Sequence, residues 1–148
     1  NADNKIKFLG RVDMNLVEKL MAVDKKEFDK IEKKMIFSRQ MTKLLGEKAS
    51  VTIQAISGDY FMPLSASGLD DNGNIDYGRA FDINAKVAAA GIINPNLKDE
   101  NLLQHLGVAT PAEAAKKIFK GEINWISAEI AELSGFGEEK KADKEIKN

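Results

Sequence analysis

The chain contains no cysteine and a single histidine, His105, in 148 residues. Without thiols there is no disulfide, no thiolate nucleophile and no cysteine-ligated zinc, which suits a reducing cytoplasm. One imidazole cannot form a histidine pair for a metal. A Ser-His-Asp relay would have to use His105, which no G-x-S-x-G turn accompanies, so it reads as a plain histidine on a helix surface. No glycine-rich phosphate loop is present, because Gly91, Gly107, Gly121 and Gly135 stand alone as helix breakers. Charge of one sign is missing too. With 22 basic and 23 acidic side chains the net charge is −1, which gives no general attraction to nucleic acid or to an anionic membrane. Apolar runs stop after a few residues, as in Val87-Ala88-Ala89-Ala90, well short of the ~20 that cross a bilayer. The first residues, Asn1-Ala2-Asp3-Asn4-Lys5, are polar and lack the apolar stretch of a signal peptide. These absences argue against an enzyme and leave no expectation of a cofactor, a metal, a nucleic acid or a membrane.

What is present is enough for a core. Hydrophobic residues make up 43% of the chain, and a domain of this length hides about 70% of the surface its unfolded chain exposes. Residues 33–136 read as one domain, preceded by a partly helical extension over 1–32 and followed by a charged tail over 137–148. In the extension, Asp13 reads as an N-cap before the stripe Leu16, Val17, Leu20 and Met21. Residues 24–34 interleave nine charges of both signs, a solvated stretch. Phe28, Ile31 and Met35 in and after it keep helical spacing, so the helix is expected to run on.

The fold class that follows is α+β, mainly helical, with a small β element near residues 34–39 and 50–57. The second of these, Ser50–Ser57, alternates Val51, Ile53 and Ala55 with Thr52, Gln54 and Ile56. Two strands alone are marginal in water, so they must pack on helices. Between them, Thr42–Leu45 reads as a short helix closed by Gly46. Ser57 is placed to cap a helix containing Tyr60, Phe61 and Leu64, with Pro63 limiting its length. A loop over 68–74 leads to a helix over Asp76–Ala90, ended by Gly91, and Ile92–Pro95 reads as an apolar segment running into a turn. Asp99–Leu106 is a short helix before Gly107. Thr110, Pro111 and Glu113 then announce another helix by N-cap, first-turn proline and capping box. Gly121 interrupts, and Glu122–Leu133 follows, with Ile123, Ile126, Ile130 and Leu133 on one face.

One constellation resembles a calcium loop: Asp70, Asn72, Gly73, Ile75 and Asp76 fit its middle positions. The loop's first ligand position, however, is Gly68 and its last is Arg79. An arginine where the bidentate glutamate belongs opposes a cation, so a turn-rich connector is the expectation. Large apolar residues on the last two helices suggest a different chemistry. Phe119, Ile123, Trp125, Ile126 and Ile130 are the candidates for partner binding, with core packing as their competing role. Tryptophan is enriched at interface hot spots, and exposed methionines adapt to varied partners.

In combination these pieces resemble the XkdN-like family of phage tail assembly chaperones, over roughly Met35 to Phe136. The segments that carry the resemblance are SVTIQAIS (50–57), AAAGIINPNLKDENLLQHLGVATPAEAAKKIF (88–119) and ISAEIAELSGF (126–136). Tyr60–Ser67, with Pro63, departs from the charged helix usual there. The resemblance implies a non-enzymatic protein of the host bacterial cytoplasm, absent from the mature virion. It implies binding to the tape measure protein, a long helical rod with apolar stripes, and help in recruiting the tail tube protein. It also implies two lengths of product, the longer arising by frameshift. Lys140-Lys141 is a place where A-rich codons would allow that slip and give a frameshift-extended form as a further partner. A helical adaptor or regulatory module for some other protein fits the composition equally.

Of the last eleven residues, eight are charged and only Ala142 and Ile146 are apolar, too few to bury. Deleting Glu138–Asn148 is therefore expected to change the unfolding free energy by less than about 0.5 kcal/mol in a urea titration.

Overall fold

The structure is a computed structural model that describes residues 15–137. The expected cap at Asp13 and the charged tail lie outside these residues. The chain divides between Ile31 and Glu32 into two units. The first holds two short helices, α1 (Leu16–Met21) and α2 (Lys25–Phe28). The Asn15 side chain caps α1, accepting the Glu18 N–H at 2.9 Å. The helix does not run on through Ile31 and Met35 as their spacing suggests. Asp24 is extended and accepts the Lys26 N–H on its own side chain at 2.9 Å, which starts a new turn rather than prolonging the old one. Met35 then belongs to a strand, where pairing with a neighbour outweighs local helical spacing.

The second unit contains β1 (Lys33–Phe37), α3 (Arg39–Leu45), β2 (Ser50–Gln54), α4 (Gly58–Ala66), α5 (Tyr77–Gly91), β3 (Ile92–Asn94), α6 (Glu100–Leu106), α7 (Pro111–Phe119) and α8 (Glu122–Leu133). The fold is α+β and mainly helical. Its one described sheet has three antiparallel strands in the order β1-β2-β3. Both expected strands are shorter than their sequence pattern, because serines at their ends do other work. Ser38 leaves β1 to cap α3, accepting the Met41 N–H at 3.1 Å. Beyond Gln54, the Ile56 N–H donates to Ser134 Oγ at 2.8 Å, and Ser57 caps α4. The third strand has no counterpart among the expected elements. Ile92–Asn94 is too short to show a period and comes just before the cis Asn94–Pro95 bond; its pairing with β2 includes a register shift.

The helix signals transfer more directly. Gly46 and Gly107 take left-handed φ values of 73° and 71° after α3 and α6. Thr110 accepts the Glu113 N–H at 3.2 Å, while Glu113 reaches back to the Ala109 N–H at 2.9 Å, one residue before the usual capping-box donor. Two details differ from the sequence reading. Between α7 and α8 the positive φ, 50°, falls on Lys120, and Gly121 is an ordinary right-handed residue. Pro63 does not stop α4, which continues to Ala66. The hydrogen bond the proline removes would have gone to the carbonyl of Asp59, an exposed residue, so the loss falls on the solvent side of the helix.

The core lies between the sheet and the helices α5, α7 and α8. Ile36, Val51 and Ile53 reach it from the sheet, Ala85, Val87 and Ala88 from α5, Ala115 and Phe119 from α7, and Ile123, Ile126 and Ile130 from α8. Burying each of the larger side chains contributes about 1.5–3 kcal/mol. Polar ties join the same elements. Asn84 on α5 bonds to Asn124 at 2.9 Å and accepts from buried Ser127 at 3.1 Å, both on α8. Lys116 on α7 pairs with Asp82 on α5, and Lys34 on β1 pairs with Glu129 on α8 at 2.8 Å.

Charge follows these ties. The hydrogen bond from Lys116, and then its positive charge, hold the Asp82 carboxyl below its ordinary value. The hydrogen bond to Glu129, and then its negative charge, raise Lys34. The Asp82 contribution is therefore present above the ordinary carboxylate range and lost as pH falls through the lowered value. That of Lys34 is present below the ordinary lysine range and lost as pH rises through the raised one. Both pairs are exposed, so each contribution is small.

The tightest approach is at Gly91. A Cβ there would sit 2.5 Å from Ile130 Cδ1 and 2.8 Å from both Cγ atoms. Gly91 is thus less a helix breaker than the place where α5 and α8 touch. Gly91→Ala should destabilise the protein by about 1–3 kcal/mol through overpacking, measured by urea denaturation. The effect should shrink when Gly91→Ala is made in an Ile130→Ala background, which removes all three of the crowding atoms.

Candidate functional site

The five residues singled out on the last two helices separate in the structure. Phe119, Ile123, Ile126 and Ile130 are fully buried and form the centre of the core. In this conformation they offer no surface to a partner. Trp125 is 44% exposed and lines a groove of about 420 Å³ with Phe37, Arg39, Gln40 and Glu122. The reason is helical spacing: Ile123, Ile126 and Ile130 share the inward stripe of α8, and Trp125 falls off it. Phe37 comes from the end of β1, on the opposite side of the strand from buried Ile36, and is likewise exposed. No local pattern signals that Phe37, Arg39 and Gln40 meet Trp125, since some 85 residues separate them.

Glu122 builds this groove. Its carboxylate accepts from Ser38 Oγ at 2.6 Å and from the Arg39 and Gln40 N–H groups at 2.8 and 3.4 Å. It therefore caps the start of α3 from another helix, placing negative charge where the backbone N–H groups are unpaired. Ser38 completes the arrangement by donating to Glu122 while accepting from Met41. One wall of the groove is thus apolar and the other is a fixed polar junction. Such a surface can hold an amphipathic helix, with an aromatic anchor and a hydrogen-bonding rim.

The first unit carries an apolar surface of its own. Val17, Leu20, Met21, Val23 and Phe28, with Lys25, line a concavity of about 450 Å³. Leu16, Val17, Leu20, Met21 and Phe28 are all exposed. In the loop that resembles a calcium site, Asp70 and Asp76 accept from the backbone. Asp70 accepts from the Asn72 and Asn74 N–H groups, both at 2.9 Å, and Asp76 caps α5 and meets Arg79 at 3.3 Å. Among the described residues no cluster of potential ligands could hold a metal, and no helix is long and apolar enough to cross a membrane.

The family model of the phage XkdN-like tail assembly chaperone protein matches residues 17–147. The chain belongs to this family. The match reaches further towards the N-terminus than the segments that carried the resemblance, taking in α1 and α2. The crystal structure of the protein yqbn is similar in fold, with 19% identity, 73% of this chain and 90% of that chain covered, and a TM-score of 0.51. No curated protein matches the chain.

The structure gives the segments behind this family resemblance physical roles. In the sequence ELSGF, Ser134 accepts the Ile56 N–H and donates to the Ile130 carbonyl at 2.6 Å. Gly135 turns the chain with φ 88°. Phe136 then stacks on Phe61, with ring centroids 4.7 Å apart, and its ring edge would lie 3.0 Å from a Cβ at Gly58. This chaperone therefore fastens α8 at both ends, by Glu122 on α3 and by Ser134 and Phe136 on the start of α4.

Glu122→Ala leaves the first N–H groups of α3 without their acceptor. It should cost about 1–2 kcal/mol of stability, read by urea denaturation. Glu122→Gln, which keeps an acceptor oxygen, should cost less. Equal stability of the Ala variant and the parent would show that the cap contributes nothing.

Proposed function

We propose that this tail assembly chaperone binds the tape measure protein through the groove beside Trp125. By covering the apolar stripes of that long helical protein it keeps them from aggregating, and it helps bring tail tube subunits to it. The work is done in the host bacterial cytoplasm, without a catalytic step, and the protein is absent from the finished virion. The observation that carries this reading is a half-exposed tryptophan in a groove of mixed polarity on a member of this family. The apolar face of the first unit adds a second surface of the same character. The frameshift-extended form fits the same scheme. Slippage at Lys140-Lys141 would append a second domain to a minority of chains, and the charged stretch would tether tube recruitment to tape measure binding at high effective concentration.

Removing an aromatic anchor typically costs ~2 kcal/mol or more of binding. Trp125→Ala should therefore weaken capture of a tape measure fragment at least about ten-fold, in a titration of purified proteins. Because the indole is half exposed, circular dichroism and urea stability should stay close to the parent. Unchanged binding by the folded variant would place the anchor elsewhere, and an unfolded variant would assign Trp125 to the core.

A further inference from the structure

A second groove lies in the same unit, away from Trp125. Tyr60, Ala89, Ala90, Pro111 and Ala112 form its apolar floor, and Lys86 and Lys98 stand at its edge, around a volume of about 430 Å³. Its charge is one-sided, since no acidic residue lines it. Five lysines lie between Lys86 and Lys120, and three of them have work inside the protein. Lys116 pairs with Asp82, Lys117 donates to the Leu106 carbonyl at 2.9 Å, and Lys120 reaches the Lys117 carbonyl at 3.5 Å. The two whose ammonium groups make no hydrogen bond or ion pair among the described residues, Lys86 and Lys98, are the two in this groove. Lys86 feels Asp82 one turn earlier on α5, but that carboxylate is already bound by Lys116. The first turn of α7 contributes Pro111 and Ala112 to the floor.

We propose that this groove is a separate docking site for a partner helix of acidic amphipathic type, with an aliphatic side chain on the alanine floor and flanking carboxylates on Lys86 and Lys98. The small floor residues let a bulky aliphatic group approach closely. The two ammonium groups supply orientation and select against a basic partner. The site stands independently of the Trp125 groove, and neither reading needs the other.

The test uses the full chain and two labelled synthetic helices with the same leucine face, one flanked by glutamates and the other by lysines. Fluorescence anisotropy should show the glutamate peptide binding at least about ten-fold more tightly, with affinity falling as salt is raised. In the doubly substituted Lys86→Glu/Lys98→Glu protein the preference should reverse. Both lysines are exposed, so circular dichroism should show that variant to be folded. Amide shifts on adding the glutamate peptide should centre on Ala89, Ala90 and Ala112. Equal binding of the two peptides, no binding of either, a preference that survives the double substitution, or shifts centred on Trp125 would each overturn the proposal.

Discussion

The contact between Gly91 and Ile130 is the constraint on which the rest of this fold depends. A glycine at the end of α5 lets the isoleucine of α8 sit where a Cβ would otherwise be, and dense interiors have no slack to absorb such an atom. The alanines of α5 extend the same logic along the helix, because small residues on one side leave room for Phe119, Ile123, Ile126 and Ile130 on the other. Since α5 passes directly into β3, and β3 pairs with β2, the position of this helix also sets the position of the sheet.

From that contact the two ends of α8 inherit their places. At its start, Glu122 meets the exposed backbone of α3; at its end, Ser134 and Phe136 close over the start of α4. Each junction satisfies polar groups that would otherwise be lost to water. No buried side-chain nitrogen or oxygen among the described residues lacks a partner, as expected of a settled interior. The Trp125 groove is a by-product of the first junction. It exists because α8 must come near Ser38 to supply the cap, and its aromatic wall is what α8 and β1 expose once their inner faces are covered.

Exposed hydrophobic surface invites indiscriminate association unless it is broken up. Within each unit the exposed apolar residues lie beside charged or polar ones, and in the second unit the two grooves share no lining residue. The apolar residues of α1 and α2 are interleaved with charges of both signs, Trp125 and Phe37 share their groove with the Glu122 junction, and the alanine floor beside Tyr60 is edged by lysines. Small apolar patches bordered by charge bind specific partners and resist indiscriminate association.

Some of this architecture was legible from residues alone. Capping chemistry is local, so Ser57, Thr110-Pro111 with Glu113, Gly46 and Gly107 marked helix ends that the structure keeps. The alternation of Val51 and Ile53 marked the central strand, and the segments ending in ELSGF marked the family. Where local signals competed with pairing across the chain, the sequence misled. Met35 has helical spacing with Ile31 and Phe28 but lies in a strand, and Ile92–Asn94 becomes a strand only because β2 offers it an edge. The candidate site shows the same limit. Periodicity identified the apolar face of α8, but it cannot say whether a large apolar residue fills a core or a surface. That distinction, which sends Ile123, Ile126 and Ile130 inward and leaves Trp125 beside Phe37, rests on which elements cover which face. The sequence determined the caps at Ser57 and Thr110, the glycine stops at Gly46 and Gly107, the central strand and the family, because those depend on neighbours a few residues apart. Only the tertiary structure decided the grooves, because Glu122 and Ser38, or Lys86 and Lys98 with Tyr60, become neighbours only after the close approach of helices and sheet has placed them.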